Sequence, residues 1–145
     1  MGLAPGLRAS VRIVVSEADT AIAAGTGDVP VLATPRLLAL AEAAAVAAVT
    51  PQLGAGLTSV GTATSLEHRR ACPVGAEVEV DTDLTEVDGR RLVFSFIARL
   101  SRPLPSSGGA GGAAGGDEDL VVGAGTVERV VVDRATFLAR VGPPA

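Results

Sequence analysis

The sequence predicts an α+β domain in which an antiparallel sheet surrounds one central helix. Residues 36–49 are mostly strong helix formers and are apolar on almost every side, which indicates a helix that is buried all round. Downstream, residues 77–84 and 91–100 alternate apolar and polar side chains, which indicates strands with one buried face. A helix that is buried on every side needs a sheet around it, so these two observations together predict the fold class.

The elements that precede the sheet begin with a β-branched run at residues 11–15, which predicts the first strand. Residues 16–30 are small and turn-rich, and they predict a loop. Thr34 has a side chain suited to the N-cap of the central helix, and Pro35 fits the first helical position. A Thr-Pro dipeptide at residues 50–51 ends the helix.

The strands that follow the helix have separate faces. In residues 57–70 one predicted face contains every second residue: Val60, Thr62, Thr64, Leu66 and His68. Residues 77–84, 91–100 and 120–132 predict three more strands, and Asp133 is expected to cap a short closing helix that runs through Arg140.

A turn at Asp88-Gly89 joins the two most regular strands, and its length sets their register. A two-residue loop there would place the acidic residues on the same face as Phe94. A three-residue loop at residues 87–89, with Gly89 left-handed, puts every apolar residue on one face. The predicted pairs of that register are Val80 with Phe96, Thr82 with Phe94, Glu86 with Arg90 and Glu77 with Arg99.

The length of 145 residues suits a single domain spanning 1–145. Residues 103–118 are rich in Gly, Ser and Ala and predict a flexible loop. Since a strand pattern resumes after this segment, we interpret it as a loop between strands and not as a domain boundary.

Charge and composition exclude several classes of function. The formal net charge of −4 argues against a nucleic-acid partner. Cys72 is the only cysteine and His68 the only histidine, so the sequence predicts no disulfide, no Cys/His zinc site and no metal. No secretory signal is visible, and the most membrane-like window, residues 31–49, contains Arg36 and Glu42. We therefore expect a cytoplasmic protein with no membrane partner.

Three polar residues are candidates for chemistry. Glu42 is the only acid on the apolar helix, and it either reaches solvent, pairs with an arginine or serves a site. His68 is either a core histidine bonded to a backbone carbonyl or a proton-transfer group. Thr34 is explained by N-capping, although a helix N-terminus also suits an oxyanion.

Other features allow a plain structural explanation beside a functional one. Gly61 interrupts a strand, and it either marks a bulge or lets a ligand's carbonyl approach the backbone. Arg69 and Arg70 could meet a phosphate, although arginines at strand ends are usually only solvated. The run Gly123-Ala124-Gly125 is not a dinucleotide-binding fingerprint, because no third glycine and no helix follow it.

The combination of these residues resembles the fluoroacetyl-CoA thioesterase family. The resemblance lies in Leu32-Ala33-Thr34, in Glu42 eight residues later, in Val60-Gly61-Thr62-Ala63, and in His68 seven residues beyond Gly61. It continues through residues 87–92 and 125–129, and it covers the chain from about Val31 onward, with the glycine-rich segment as a departure.

This resemblance implies a hot-dog fold, a homodimer, and an acyl-CoA thioesterase that needs no cofactor because coenzyme A is part of the substrate. It implies that Thr34, Glu42 and His68 are catalytic and that Gly61 and Thr62 bind substrate. The family has aromatic residues before the helix that form a lid over the fluorinated acyl group. Since residues 11–30 contain no aromatic residue, we expect a different short acyl group.

Helix geometry limits how the catalytic set can be assembled. Eight residues rise about 12 Å and turn roughly 80° along a continuous helix, so Thr34 and Glu42 of one chain should not hydrogen-bond directly. Either two subunits share the site, or the helix begins after Thr34, or water and His68 connect the two residues. The preferred hypothesis is a site shared between subunits.

The sequence leaves the mechanism open between covalent attack by Thr34 or Glu42 and general-base hydrolysis through Glu42. Two other functions stay open as well. One is a non-catalytic acyl-CoA or acyl-carrier binding module on the same fold. The other is a hot-dog dehydratase or hydratase, for which the sequence shows no paired aspartate and histidine in one strand-loop segment.

Overall fold

A computed structural model describes residues 2–101 and 120–145. The predicted loop at residues 103–118 lies outside the described residues. In chain order the elements are β1 Arg8–Val14, α1 Ala21–Ala24, α2 Thr34–Val49, β2 Leu57–His68, β3 Glu77–Asp88, β4 Arg91–Leu100, β5 Val121–Asp133 and α3 Arg134–Val141. The strands form one antiparallel sheet in the order β1-β3-β4-β5-β2, which confirms the predicted α+β class.

The segment between β1 and α2 is more ordered than the predicted loop. It contains a 3-10 turn at Glu17–Asp19 and the short helix α1. The Thr20 hydroxyl accepts a hydrogen bond from the Ala23 backbone N–H, and Gly25, at a φ of 73°, ends the helix in the left-handed conformation. The prediction of a plain loop was wrong here because these caps stabilise a single turn that has almost no apolar periodicity.

Helix α2 packs one side against the sheet and leaves the other side open. Its buried residues are Leu37, Leu40, Ala41, Ala44, Ala45, Ala48 and Val49. On the opposite side Ala39, Ala43, Val46 and Ala47 are exposed and Leu38 is half-buried. The prediction of a helix buried all round is therefore wrong for a single chain, because the sheet covers only one side of the helix.

The β3–β4 hairpin keeps the predicted faces but not the predicted pairs. Asp88 pairs with Arg91 across a two-residue loop, with Gly89 left-handed as predicted. A bulge at Thr85 then corrects the register, so that the apolar residues still share one face. The observed pairs are Leu84 with Phe94, Thr82 with Phe96, Val80 with Ala98 and Glu79 with Arg99. The predicted pairing was wrong because a bulge restored the burial that we had assigned to a longer loop.

A second bulge, at Thr62 in β2, corrects the predicted face of that strand. Gly61 pairs with Arg129 but Ala63 pairs with Glu128, so Thr62 is an extra residue in the ladder. Along the chain, the inward face of β2 therefore changes from odd positions, such as Gly61, to even positions, such as His68, at the bulge. The alternation had predicted that Val60 and His68 share a face, and this was wrong. Gly61, not Val60, faces the helix.

The strands β5 and β2 approach each other closely at two glycines. A Cβ atom on Gly125 would lie 1.9 Å from the Ser65 carbonyl oxygen, and one on Gly123 would lie 2.5 Å from that of Glu67. Any side chain at these positions would force the strands apart. Because these two residues have no side chain, β2 and β5 can come together beside the start of α2. A Cβ atom on Gly123 would also lie 3.2 Å from the Cδ2 atom of Leu37 on that helix.

Candidate active site

Thr34 is the first residue of α2 and not its cap. The N-cap position is occupied by Ala33, whose methyl side chain cannot accept a hydrogen bond from the helix backbone. The predicted capping role of Thr34 was therefore wrong. The Thr34 hydroxyl instead shares a hydrogen bond of 2.8 Å with Nδ1 of His68 at the end of β2. The plain structural explanation for this hydroxyl is removed, and the side chain is directed at the one histidine of the chain.

His68 is held in a partly dry environment. Burial lowers the pKa of His68, and a weaker interaction with the backbone of Arg70 opposes that shift. Its Nε2 is buried and has no hydrogen-bond partner among the residues that the structure describes. A neutral imidazole accepts a proton readily, so the lowered pKa favours the form that can act as a base near neutral pH.

A pocket of about 300 Å³ opens beside this pair. Its walls are the residues Ala21, Thr26, Val31, Leu32, Thr34, His68, Arg69, Arg70 and Ala71. The volume is at the lower end of the range typical of small-ligand sites. A small ligand in this pocket would contact the hydroxyl and the imidazole that already bond each other.

Glu42 belongs to a different group of side chains. Its Oε2 accepts a hydrogen bond of 3.0 Å from Nη1 of Arg129 on β5. The same arginine donates from Nε to the Ser59 hydroxyl and from Nη2 to the Ser59 carbonyl, each at 2.9 Å. Burial lowers the pKa of Arg129, and the charge of Glu42 opposes that shift. The lone acid of the helix is thus paired with an arginine, one of the alternatives that the sequence allowed.

Gly61 lies directly against this carboxylate. A Cβ atom on Gly61 would sit 2.7 Å from Oε2 of Glu42, closer than real Cβ atoms come to any neighbour. The next residue, Thr62, forms the bulge and donates its hydroxyl to the Glu128 carbonyl at 3.3 Å. The bulge that the sequence offered as one explanation for Gly61 is therefore confirmed, and the structure adds a second reason for the glycine, which is the room it leaves for Glu42.

The predicted catalytic set forms two groups within one chain. Across residues 2–101 and 120–145, no hydrogen bond or ion pair joins Glu42 to Thr34 or His68. Helix α2 is continuous from Thr34, so the alternative in which the helix begins later is wrong. Two of the three alternatives for assembling the site survive: a second subunit, or a connection through water.

Arg129 and Ser59 were not among the site residues predicted from the sequence. Arg129 carried a usable signal, because it occupies an inward position on β5 between Val127 and Val131, which are both buried. An arginine on an apolar face needs an acid near it. Within the described part of the chain, no group of His, Cys, Asp and Glu could hold a metal ion, and no helix is long and apolar enough to cross a membrane.

Comparison with known proteins shows which family this chain resembles. Residues 15–104 match the family described as fluoroacetyl-CoA-specific thioesterase. The fluoroacetyl-CoA thioesterase of Streptantibioticus cattleyicolor is 36% identical over 111 residues, covering 77% of this chain and 68% of that protein. A solved structure of a fluoroacetyl-CoA thioesterase superimposes with a TM-score of 0.79 at 30% identity, covering 99% of this chain and 100% of the other.

More distant structures agree on the fold. A hot-dog-like protein from Thermanaerovibrio acidaminovorans superimposes with a TM-score of 0.77 at 22% identity. The match covers 97% of this chain and 94% of that protein's chain. A thioesterase superfamily member from Thermus thermophilus has a TM-score of 0.76 at 21% identity, covering 94% and 88% of the two chains. The α+β sheet and its long helix therefore form a hot-dog fold, as expected.

Proposed function

The chain belongs to the fluoroacetyl-CoA-specific thioesterase family and is a thioester hydrolase, and we propose that it hydrolyses a small acyl-CoA to the carboxylic acid and free CoA. The observation that carries this proposal is the 2.8 Å hydrogen bond between the Thr34 hydroxyl and His68, at the wall of a pocket. A hydroxyl that bonds a neutral imidazole can lose its proton as it attacks, which is how a weak nucleophile becomes active.

In the proposed reaction Thr34 Oγ1 attacks the thioester carbon while its proton passes to Nδ1 of His68. The carbon–sulfur bond breaks, His68 gives the proton to the departing sulfur, and free CoA leaves an acyl ester on Thr34. Water then attacks the ester, again giving its proton to His68, and the acid is released with the Thr34 hydroxyl restored. The positive end of the α2 dipole favours the negative charge on the carbonyl oxygen during both attacks.

Gly61 and Thr62 support the same step in the proposal. A β-bulge leaves its extra residue out of the regular ladder, so backbone groups at Thr62 become available to other partners. Neither residue lines the pocket of Thr34 and His68 in the same chain, so we assign the backbone beside Gly61 and Thr62 to polarisation of the thioester carbonyl in a site shared between two subunits. This is the close approach that the sequence allowed for, although the side-chain space at Gly61 itself is taken by Glu42.

Glu42 has the role of positioning the attacking water, and Arg129 holds its carboxylate in place. Because Glu42 does not line the pocket of Thr34 and His68 in one chain, we propose that a homodimer completes the site. Two features support this. The side of α2 that faces away from the sheet is apolar and open, and β2 lies at the edge of the described sheet, where β5 is its neighbour.

Antiparallel pairing of β2 with its copy would lay the His68 end of one strand beside the Leu57 end of the other. The carboxylate of one chain would then approach the hydroxyl and imidazole of its partner. The proposal needs no cofactor, since CoA enters as part of the substrate, and the predicted cytoplasmic location stays a prediction.

The acyl group in the proposal is short but differs from fluoroacetyl. Residues 15–30, which precede the helix, contain only small, aliphatic, acidic and hydroxyl side chains, with no aromatic ring to close over a fluorinated carbon. Ala21, Val31 and Leu32 form that side of the pocket instead. Their aliphatic surface suits a short unfluorinated chain.

The test is a thiol-release assay with the purified protein across acetyl-, propionyl-, butyryl-, benzoyl- and palmitoyl-CoA. We expect release of CoA from one or more of the short thioesters, together with an acyl adduct of the matching mass on Thr34 after rapid acid quenching. Tight binding of these thioesters without thiol release would establish the non-catalytic binding module instead. Thiol release with the adduct on Glu42, or with no adduct at all, would remove Thr34 as the nucleophile.

The shared site is tested by mixing two variants that are each expected to lose activity, Thr34→Ala and Glu42→Gln, and allowing their subunits to exchange. If each site takes Thr34 from one chain and Glu42 from the other, half of the dimers regain one of their two sites. About a quarter of the wild-type activity should therefore return. The control is that each variant still forms mixed dimers with the wild-type chain. If it does and no activity returns, one chain supplies the whole site.

A further inference from the structure

Among the residues that the structure describes, the wall of the pocket beside Thr34 and His68 contains positively charged side chains and no acidic ones. Two of the residues in its wall are arginines, Arg69 and Arg70, and none is an aspartate or glutamate. This contrasts with the chain as a whole, whose formal net charge is −4. A concave site with one sign of charge concentrates ligands of the opposite sign.

The two arginines differ in what they already bind. Arg69 donates from Nε at 3.2 Å and from Nη2 at 2.8 Å to Oε2 of Glu67, and 55% of its side chain is exposed. The guanidinium of Arg70 makes no hydrogen bond or ion pair with any residue that the structure describes, although Arg70 is only partly exposed. Arg70 therefore offers an unused bidentate donor at the wall of the pocket.

The backbone fixes Arg70 close to the reacting groups. The backbone N–H of Arg70 donates to the Val122 carbonyl oxygen at 3.1 Å. The same oxygen accepts the N–H of Arg69 at 2.8 Å. Arg70 follows His68 by two residues, so the two Cα atoms are within about 7 Å of each other. An anion held by Arg70 would lie near the carbon atoms attached to the thioester carbonyl.

We propose that Arg70 binds an anionic oxygen group of the substrate in this pocket, an inference that rests on the thioesterase function proposed above. The nearer source of such a group is a carboxylate at the end of the acyl chain, as in the CoA monothioester of a short dicarboxylic acid. The second source is a phosphate of coenzyme A, which the pantetheine arm separates from the thioester by many bonds. Proximity favours the carboxylate.

The experiment compares wild type with Arg70→Gln on succinyl-CoA and butyryl-CoA, whose acyl chains have the same length but differ in the terminal carboxylate. A third substrate, the butyryl thioester of N-acetylcysteamine, has no phosphate. Arg8→Gln is the matched control, since it removes the same charge from an exposed arginine. Arg8 lies on β1, at the other edge of the described sheet, and pairs with Asp83 of β3. Arg70→Lys tests whether charge alone is sufficient.

We expect wild type to prefer succinyl-CoA and Arg70→Gln to lose about tenfold in kcat/KM on it, mainly through KM. Its activity on butyryl-CoA should stay unchanged, which also shows that the variant is folded. A loss on both CoA substrates, with none on the N-acetylcysteamine thioester, would assign Arg70 to a CoA phosphate.

Equal kinetics of Arg70→Gln, Arg8→Gln and wild type on all three substrates would overturn the anion site while leaving the thioesterase function intact. A wild-type protein that releases no thiol from any of the substrates would overturn the function itself. The two failures are therefore distinguishable.

Discussion

Helix α2 presents Thr34 at its first residue and Glu42 two turns later, and the surroundings of the two side chains are opposite in character. Thr34 is exposed and makes one side-chain hydrogen bond, to a histidine whose other nitrogen has no partner among the described residues. Glu42 is held by an arginine that Ser59 binds twice. The group of Thr34 and His68 has unused hydrogen-bonding capacity beside a pocket, whereas the carboxylate of Glu42 already has a charged partner. Residues predicted together as one catalytic set can therefore have separate structural roles.

The largest effect is expected at the group with unused capacity. His68→Ala removes the base and should lower kcat by about 10²–10⁴-fold, while the free energy of unfolding changes by less than about 1 kcal/mol. Steady-state thiol release and thermal unfolding measure the two quantities. Thr34→Val should match His68→Ala, and the double variant should be no worse than either, because the two residues act as a unit.

Thr34→Ser keeps the hydroxyl and is the control for that pair of variants. Turnover by His68→Ala within a few-fold of wild type would remove the histidine from the mechanism and leave its bond to Thr34 as a structural contact.

A smaller loss of activity accompanied by a loss of stability is expected at the satisfied group. Glu42→Gln leaves Arg129, whose side chain is only 9% exposed, without a counter-charge. The free energy of unfolding should fall by about 1–3 kcal/mol, because a buried guanidinium loses a charged partner. Chemical denaturation with matched thiol-release kinetics checks both effects.

Glu79→Gln provides the matched control, since Glu79 pairs with Arg12 on the exposed face of the sheet and its loss should change stability by less than about 0.5 kcal/mol. If Glu42→Gln unfolds like wild type, the ion pair is not what holds this part of the helix to the sheet. If it also hydrolyses like wild type, Glu42 leaves the proposed mechanism.

The smallest effect is a displacement of the pH profile. Burial lowers the pKa of His68 below its ordinary value of 6.5, so the neutral base persists to more acidic pH than a free histidine would allow. The acid limb of kcat/KM should therefore have its midpoint below 6.5. The same shift makes stability fall as the pH drops below 6.5 towards the folded pKa, because the unfolded chain takes up the proton first. A midpoint above 6.5 would show that the charged form of His68 is favoured in the free enzyme.

The fold class was predictable from the sequence because burial imposes a period on the pattern of apolar residues. The strict alternation in β3 and β4 placed Val80, Thr82 and Phe94 on one face, and the structure confirms that face. The pairs themselves were wrong, since a bulge at Thr85 changes the register by a residue without changing which residues are buried. Alternation determines faces but cannot locate a bulge.

The candidate site was predictable in part for a similar reason. Residue type and spacing selected Thr34, Glu42 and His68, but the partner of each depends on which strand lies beside which. Arg129 is 87 residues from Glu42 along the chain and meets it only because β5 packs next to β2 under the helix. The bond between Thr34 and His68 spans 34 residues and depends on the same packing. No local pattern contains either contact.

Gly123 and Gly125 have a consequence for how genetic data on this protein should be interpreted. A side chain at either position would collide with the backbone of β2 and open the end of the sheet beside His68. In a saturation mutagenesis screen for thioester hydrolysis, both glycines should therefore be as intolerant as the residues that perform the reaction. Selection for activity alone would count them as part of the active site. Parallel measurement of protein abundance would separate the two classes, since loss of these glycines should remove folded protein and loss of His68 should not.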